Sequence, residues 1–144
     1  MLKSNQEIKL KTVEVSLYLH STEDFDRIIE IICDNLKITT EKKAETKLTG
    51  TFNNEIKRIT FILKKSECSI FLKNLTDKMI QEYKKEIIER IDNHIDKKGI
   101  IYLRLDKQRL IKNEIAIGMN DIVRIKMKVQ TKNDLKEEMI KLLS

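Results

Sequence analysis

The chain has 144 residues, 40% of them hydrophobic and 36% charged, with a formal net charge of +6. That length and apolar content suit one α+β domain with a real core. No stretch reaches the roughly 18 apolar residues of a membrane span, and the N-terminus has no signal-peptide core. The two cysteines, Cys33 and Cys68, form neither a CxxC pair nor a disulfide framework, so a reducing, cytoplasmic setting is expected, with no cofactor. Residues 1–11 are expected to be flexible.

Residues 12–20 alternate: Val13, Val15, Leu17 and Leu19 on one side, Glu14, Ser16, Tyr18 and His20 on the other. Period two over nine residues predicts a half-buried strand. Ser21 or Thr22 is expected to cap a helix with Glu23 and Asp24 in its first turn and a stripe of Phe25, Ile28, Ile29, Ile32 and Leu36. A hairpin is predicted over residues 43–65, its turn at Asn53-Asn54, with Ile59, Phe61 and Leu63 facing opposite to Arg58, Thr60, Ile62 and Lys64. Ser66 is expected to cap a short helix and Thr76 a longer one from Asp77 to Asp96, with Lys98-Gly99 as its stop. Three strands follow, at 100–105, 114–117 and 122–130, then a helix over 133–144 capped by Asn133 with Leu135, Met139 and Leu142 inward. The order β-α-β-β-α-α-β-β-β-α predicts an antiparallel sheet, with mixed pairing left open, and helices on one face.

Charge follows the elements. Residues 21–36 carry five acids and one base, and residues 66–96 seven acids and five bases. The hairpin 42–65 carries seven bases and two acids, and residues 101–128 seven bases and three acids. Basic strands and acidic helices are not what a uniform lysine bias produces. Alternation places Tyr18, His20, Lys47, Thr49, Thr51, Arg58, Lys64, Tyr102, Arg104, Arg124, Lys126 and Lys128 on one open face. Such a face attracts phosphate and offers aromatic and guanidinium planes to unpaired bases. It also fits an ordinary solvated sheet face, and the pattern alone leaves both readings open.

Three segments, His20-Ser21-Thr22-Glu23, Gly50-Thr51-Phe52-Asn53-Asn54-Glu55-Ile56 and Tyr102-Leu103-Arg104-Leu105-Asp106-Lys107-Gln108, resemble an archaeal family of small RNA-binding proteins described as exosome- or RNase P-associated subunits. The resemblance spans residues 13–130, and the YLRLDKQ segment is its most specific part. It departs in the hairpin, where the family pattern is close to G-H-[FY]-G-N-P-I and Thr51, Asn53 and Glu55 stand in place of His, Gly and Pro. The resemblance implies a fold like that of the 5S-rRNA-binding ribosomal protein, and an RNA-binding accessory of an RNA-processing assembly. The sequence shows no clustered carboxylates, nucleophile triad, P-loop or metal-ligand set, so no enzymatic activity is expected.

The candidate RNA contacts are Arg104, Lys107, Gln108, Tyr102, Arg58, His20, Lys47, Asn54, Arg124 and Lys126. Arg104 offers a planar fork to phosphate or a base edge, or pairs with Asp106 or a helix carboxylate. Gln108 reads a base or braces the next turn; His20 stacks or bonds locally at the helix start. Thr22 and Glu23 are read as capping residues and Asn54 as the hairpin turn. His94 and Asp96, two apart, do not share a helix face, so no metal site is expected. RNA is the expected partner, with no membrane. The competing reading is a protein-interaction subunit or homodimer without direct RNA contact.

Overall fold

The computed structural model describes residues 8–20, 22–39, 43–49, 55–130 and 134–144, with the backbone alone for 43–49. Five strands form one antiparallel sheet: β1 (Leu10–His20), β2 (Lys43–Thr49), β3 (Glu55–Lys64), β4 (Ile100–Asp106) and β5 (Ile122–Val129), in the order β2-β3-β1-β5-β4. Helices α1 (Phe25–Leu36), α2 (Ser66–Lys78), α3 (Gln81–Glu89), α4 (Ile91–His94), α5 (Lys107–Ile111) and α6 (Leu135–Leu143) complete the fold.

The alternation does what period two requires. Val13, Val15, Leu17 and Leu19, together with Ile59, Phe61 and Leu63, Ile101, Leu103 and Leu105, and Val123, Ile125 and Met127, are all buried. They join one core with Ile29, Ile32 and Leu36 of α1, Phe71 and Leu75 of α2, Ile87 of α3 and Met139 of α6. The helical stripes therefore cover the apolar face of the sheet and leave the other face open. Leu135 and Leu143 of α6 are also buried, while Leu142 is half-buried at the margin.

Several element boundaries differ from the sequence reading. Ile8 and Leu10 are buried and β1 starts at Leu10, so the end of the segment expected to be flexible is part of the core. Asp24, not Thr22, caps α1, accepting from the Arg27 N–H; Ser21 lies outside the described residues. Ser66 starts α2 without capping it: Lys65 stands at the cap with φ 56° and no side-chain hydrogen bond. Thr76 does not start a second helix either. Its hydroxyl donates back to the Leu72 and Lys73 carbonyls, so α2 runs straight through it. The long helix expected from Asp77 is not continuous: Met79, which is extended and bridges to Ile115, separates α2 from α3, and Arg90 separates α3 from α4. Residues 114–117 do not form a strand; they contribute only isolated bridges at Ile115 and Ile117. Asn133 lies outside the described residues.

Those bridges explain how β4, an edge strand, is kept from pairing with other chains. The Tyr83 hydroxyl accepts from the Arg104 N–H at 3.0 Å and donates to the Arg104 carbonyl at 3.1 Å. Gly118 N–H donates to the same carbonyl, and Asp106 N–H to Ala116. Asp96 takes both ends of Ile100: its backbone N–H donates to the Ile100 carbonyl, and its Oδ1 accepts from the Ile100 N–H. A sheet edge satisfied this way offers little template for aggregation. Gly118 is required by the close approach: a Cβ there would lie 2.7 Å from the Leu105 carbonyl oxygen and 2.8 Å from the Asp106 nitrogen. Burial drives the Tyr83 hydroxyl pKa up to about 12, against the opposing effect of its bond to Arg104, so the group stays neutral and can serve as donor and acceptor together.

Candidate nucleic-acid interface

Register lays out the open face in rows that cross the sheet. Thr60, Ser16, Arg124 and Arg104 stand side by side on β3, β1, β5 and β4; the next row is Ile62, Glu14, Lys126 and Tyr102; the next is Lys64, Thr12, Lys128 and Ile100. Tyr18 faces Arg58 one row beyond Ser16. The sheet thus gathers Tyr18, Arg58, Tyr102, Arg104, Arg124 and Lys126 onto one surface, and the two tyrosines are 42% and 41% exposed.

Arg104 and Arg124 are direct cross-strand partners. Like charges so placed destabilise a sheet by a few tenths to about 1 kcal/mol. Neither guanidinium makes an ion pair or side-chain hydrogen bond with a described residue, and the same holds for Arg58 and Lys126; the pairing of Arg104 with Asp106 is not formed. Asp106 instead caps α5 by accepting from the Arg109 N–H at 3.0 Å. Glu14 is the acid set into these rows, opposite Lys126.

Other expected contacts sit elsewhere. Lys107 was read as a surface cation; it is fully buried. Its ammonium donates to the Tyr18 carbonyl at 3.1 Å and pairs with Glu23 at 3.0 Å and Asp121 at 3.1 Å. Helix α5 begins at Lys107, which ends the strand alternation and turns the side chain inward. Glu23, read as a capping residue, does not cap α1: it pairs with Lys107 and accepts from the His20 N–H. Gln108 donates to Asp121 at 3.1 Å and so braces the turn before β5, not the one that follows α5. His20 is exposed at the end of β1, opposite Ile56. Lys47 is opposite Lys57, a register position in the row of Leu19 and not in that of Arg58. The residue opposite Arg58 is Thr46, because the pairing across the hairpin is offset by one residue from the alternation expected. Asn54 lies outside the described residues.

The structure adds residues that the alternation did not single out. Along the β4 side of the sheet, α3 and α4 lie beside the open face and bound a pocket of about 390 Å³. Arg58, Arg104, Arg124 and Lys126 line it from the sheet, and Glu86, Asn93 and His94 from the helices. His94 Nδ1 lies 3.1 Å from the Tyr102 carbonyl. The Tyr102 hydroxyl donates to Asp96 Oδ2 at 3.1 Å. Asp96 is held below the usual carboxylate range, first by the Ile100 N–H, and the same bond to Asp96 raises Tyr102. Among the described residues, no group of three or more His, Cys, Asp or Glu could hold a metal ion, and no helix is long and apolar enough to cross a membrane.

Comparison with known proteins agrees in fold and in family. A family described as RNA binding matches residues 12–129. The chain is 23% identical over 140 residues to an RNA-binding protein of Pyrococcus abyssi, covering 93% of this chain and 91% of that protein. A DUF54 protein of Sulfolobus solfataricus superposes with a TM-score of 0.78 at 26% identity, covering 92% of this chain and 97% of that one. A DUF54 protein of Methanothermobacter thermautotrophicus gives 0.74 at 20% identity over 94% and 98%, a likeness of fold alone.

Proposed function

The chain belongs to this RNA-binding family, and on that footing we propose that it is a non-catalytic RNA-binding protein that seats the phosphate backbone on the open face of its sheet. The observation that carries the reading is the Arg104–Arg124 pair, two guanidinium groups side by side, neither in an ion pair with a described residue. A pair that destabilises the isolated sheet becomes favourable once phosphate lies between the two groups and neutralises them. Arg58 and Lys126 extend the cationic surface, and Tyr18 and Tyr102 add exposed rings on which bases stack.

Amide chemical-shift mapping tests this directly. Addition of RNA should move the resonances of Arg58, Tyr102, Arg104, Arg124 and Lys126 while those of α1 and α2 stay in place. Shifts confined to the helical layer would sink the proposal. The resemblance of the sequence to a family described as exosome- or RNase P-associated subunits supports a place as accessory to an RNA-processing assembly of that kind. Pull-down from a cognate lysate before and after nuclease treatment separates that role from a protein-interaction subunit: protein partners held only through RNA favour the RNA-binding role.

A further inference from the structure

The open face is a trough at its β4 side. Arg104, Arg124 and Lys126 lie in the sheet part of the 390 Å³ pocket, Glu86, Asn93 and His94 in the helical part, and Tyr102 between them. The volume falls inside the range of about 300–1,000 Å³ usual for small-ligand sites. The polar groups along the helical part are available. A carbonyl oxygen can only accept, so in the hydrogen bond with the Tyr102 carbonyl the His94 Nδ1 carries the hydrogen. That leaves Nε2 of the neutral ring as an acceptor without a described partner. The Asn93 amide makes no side-chain hydrogen bond with a described residue, and among the described residues the Glu86 carboxylate pairs with Arg90. The Tyr102 ring is partly exposed, and its hydroxyl is tethered to Asp96, which fixes where the ring stands.

We propose that this trough is a subsite for one unpaired nucleotide of an RNA strand, with its phosphate on Arg104 and Arg124, its base against Tyr102, and the base edge on Asn93 and His94. The inference rests on the RNA-binding reading above and adds to it a preference for strands with unstacked bases. A continuous A-form duplex keeps its bases paired and stacked and presents only its backbone and shallow minor groove. Such a ligand reaches the arginines but leaves the trough empty.

The test uses a short single-stranded RNA, its blunt duplex, and the same duplex with one bulged nucleotide, titrated against the parent protein and the variants Tyr102→Leu, Tyr102→Phe and Asn93→Ala, each shown to be folded by circular dichroism. The parent should bind the single strand and the bulged duplex about tenfold or more tighter than the blunt duplex, the size of one base-stacking contact. Tyr102→Leu should abolish most of that preference, Asn93→Ala part of it, and Tyr102→Phe, which keeps the ring, should retain it; in Tyr102→Leu and Asn93→Ala, affinity for the single strand and the bulged duplex should fall severalfold more than affinity for the blunt duplex. Equal affinity of the parent for the three RNAs overturns the subsite, and with salt-dependent binding it leaves the basic-face reading standing. Equal weakening of all three RNAs by Tyr102→Leu and Asn93→Ala overturns it in the same way. Absence of binding to any of the three overturns both.

Discussion

Replacing Lys107 by Met tests whether this cation belongs to the architecture or to the binding surface. Methionine keeps most of the stem and removes the ammonium, so the measured loss reports on the charge. In the parent, the Lys107 ammonium is fully buried and bonds the Tyr18 carbonyl, Glu23 and Asp121, tying together the end of β1, the start of α1, α5 and the turn before β5. Removing one partner of a buried ion pair costs about 3–5 kcal/mol because the other charge is stranded. Glu23 is 17% exposed in its side chain but Asp121 is 45% exposed, and water rescues the latter in part, so the expected loss is about 2–4 kcal/mol. In a chain of this size that is a fall in melting temperature of roughly 5–15 °C. Urea denaturation gives the free energy, and adding Glu23→Gln and Asp121→Asn to Lys107→Met should recover part of the loss, since no charge is then stranded. A Lys107→Met protein within about 0.5 kcal/mol of the parent would refute the buried clamp and return Lys107 to the list of surface contacts.

Arg124→Thr should raise stability by a few tenths to about 1 kcal/mol while weakening RNA binding, because it relieves the like-charge pair with Arg104 and keeps a strand-forming residue; urea midpoints and a binding titration read the two effects, and a destabilised variant would count against the uncompensated pair. Tyr83→Phe removes the group that satisfies the Arg104 N–H at the sheet edge, and a loss of about 1–3 kcal/mol is expected by denaturation; no loss would mean that the edge is solvated. Asp96 has a folded pKa below its ordinary 3.8, so the stability it contributes is present above that value and is lost as pH falls through the folded pKa. Asp96→Asn should therefore lower the melting temperature at neutral pH, with the gap to the parent closing as pH falls below 3.8; a gap independent of pH would show that the carboxylate charge is not what matters.

The sheet and its covered face were legible because alternation is a local signal: Val13 to Leu19 and Ile59 to Leu63 announce their burial residue by residue. The gathering of Arg58, Tyr102, Arg104 and Arg124 was legible for the same reason. What alternation cannot supply is register across a hairpin, and the offset that sets Lys47 opposite Lys57 shows the consequence. Lys107 was read as an RNA contact because nothing in the segment after the strand shows that Asp106 caps a helix turn and sends the next side chain into the core. Its partners Glu23 and Asp121 are 84 and 14 residues away in sequence, too far for any periodicity to reach. Thr76 carried the look of a cap, yet a hydroxyl bonded to the preceding turn serves equally well inside a helix. The helical border of the trough depends on where α3 breaks at Arg90 and how α4 meets the edge of β4, both set by packing.

The most direct measurement of the central claim is the salt dependence of RNA affinity for the parent and for an Arg104→Ala, Arg124→Ala double variant. Each phosphate neutralised contributes about 0.7 to the slope of log K against log salt for a single strand and about 0.9 for a duplex. The account predicts that the parent binds with a steep negative slope and that the double variant binds more weakly with a slope shallower by roughly 1.4–1.8. An unchanged affinity and slope in the double variant would contradict it.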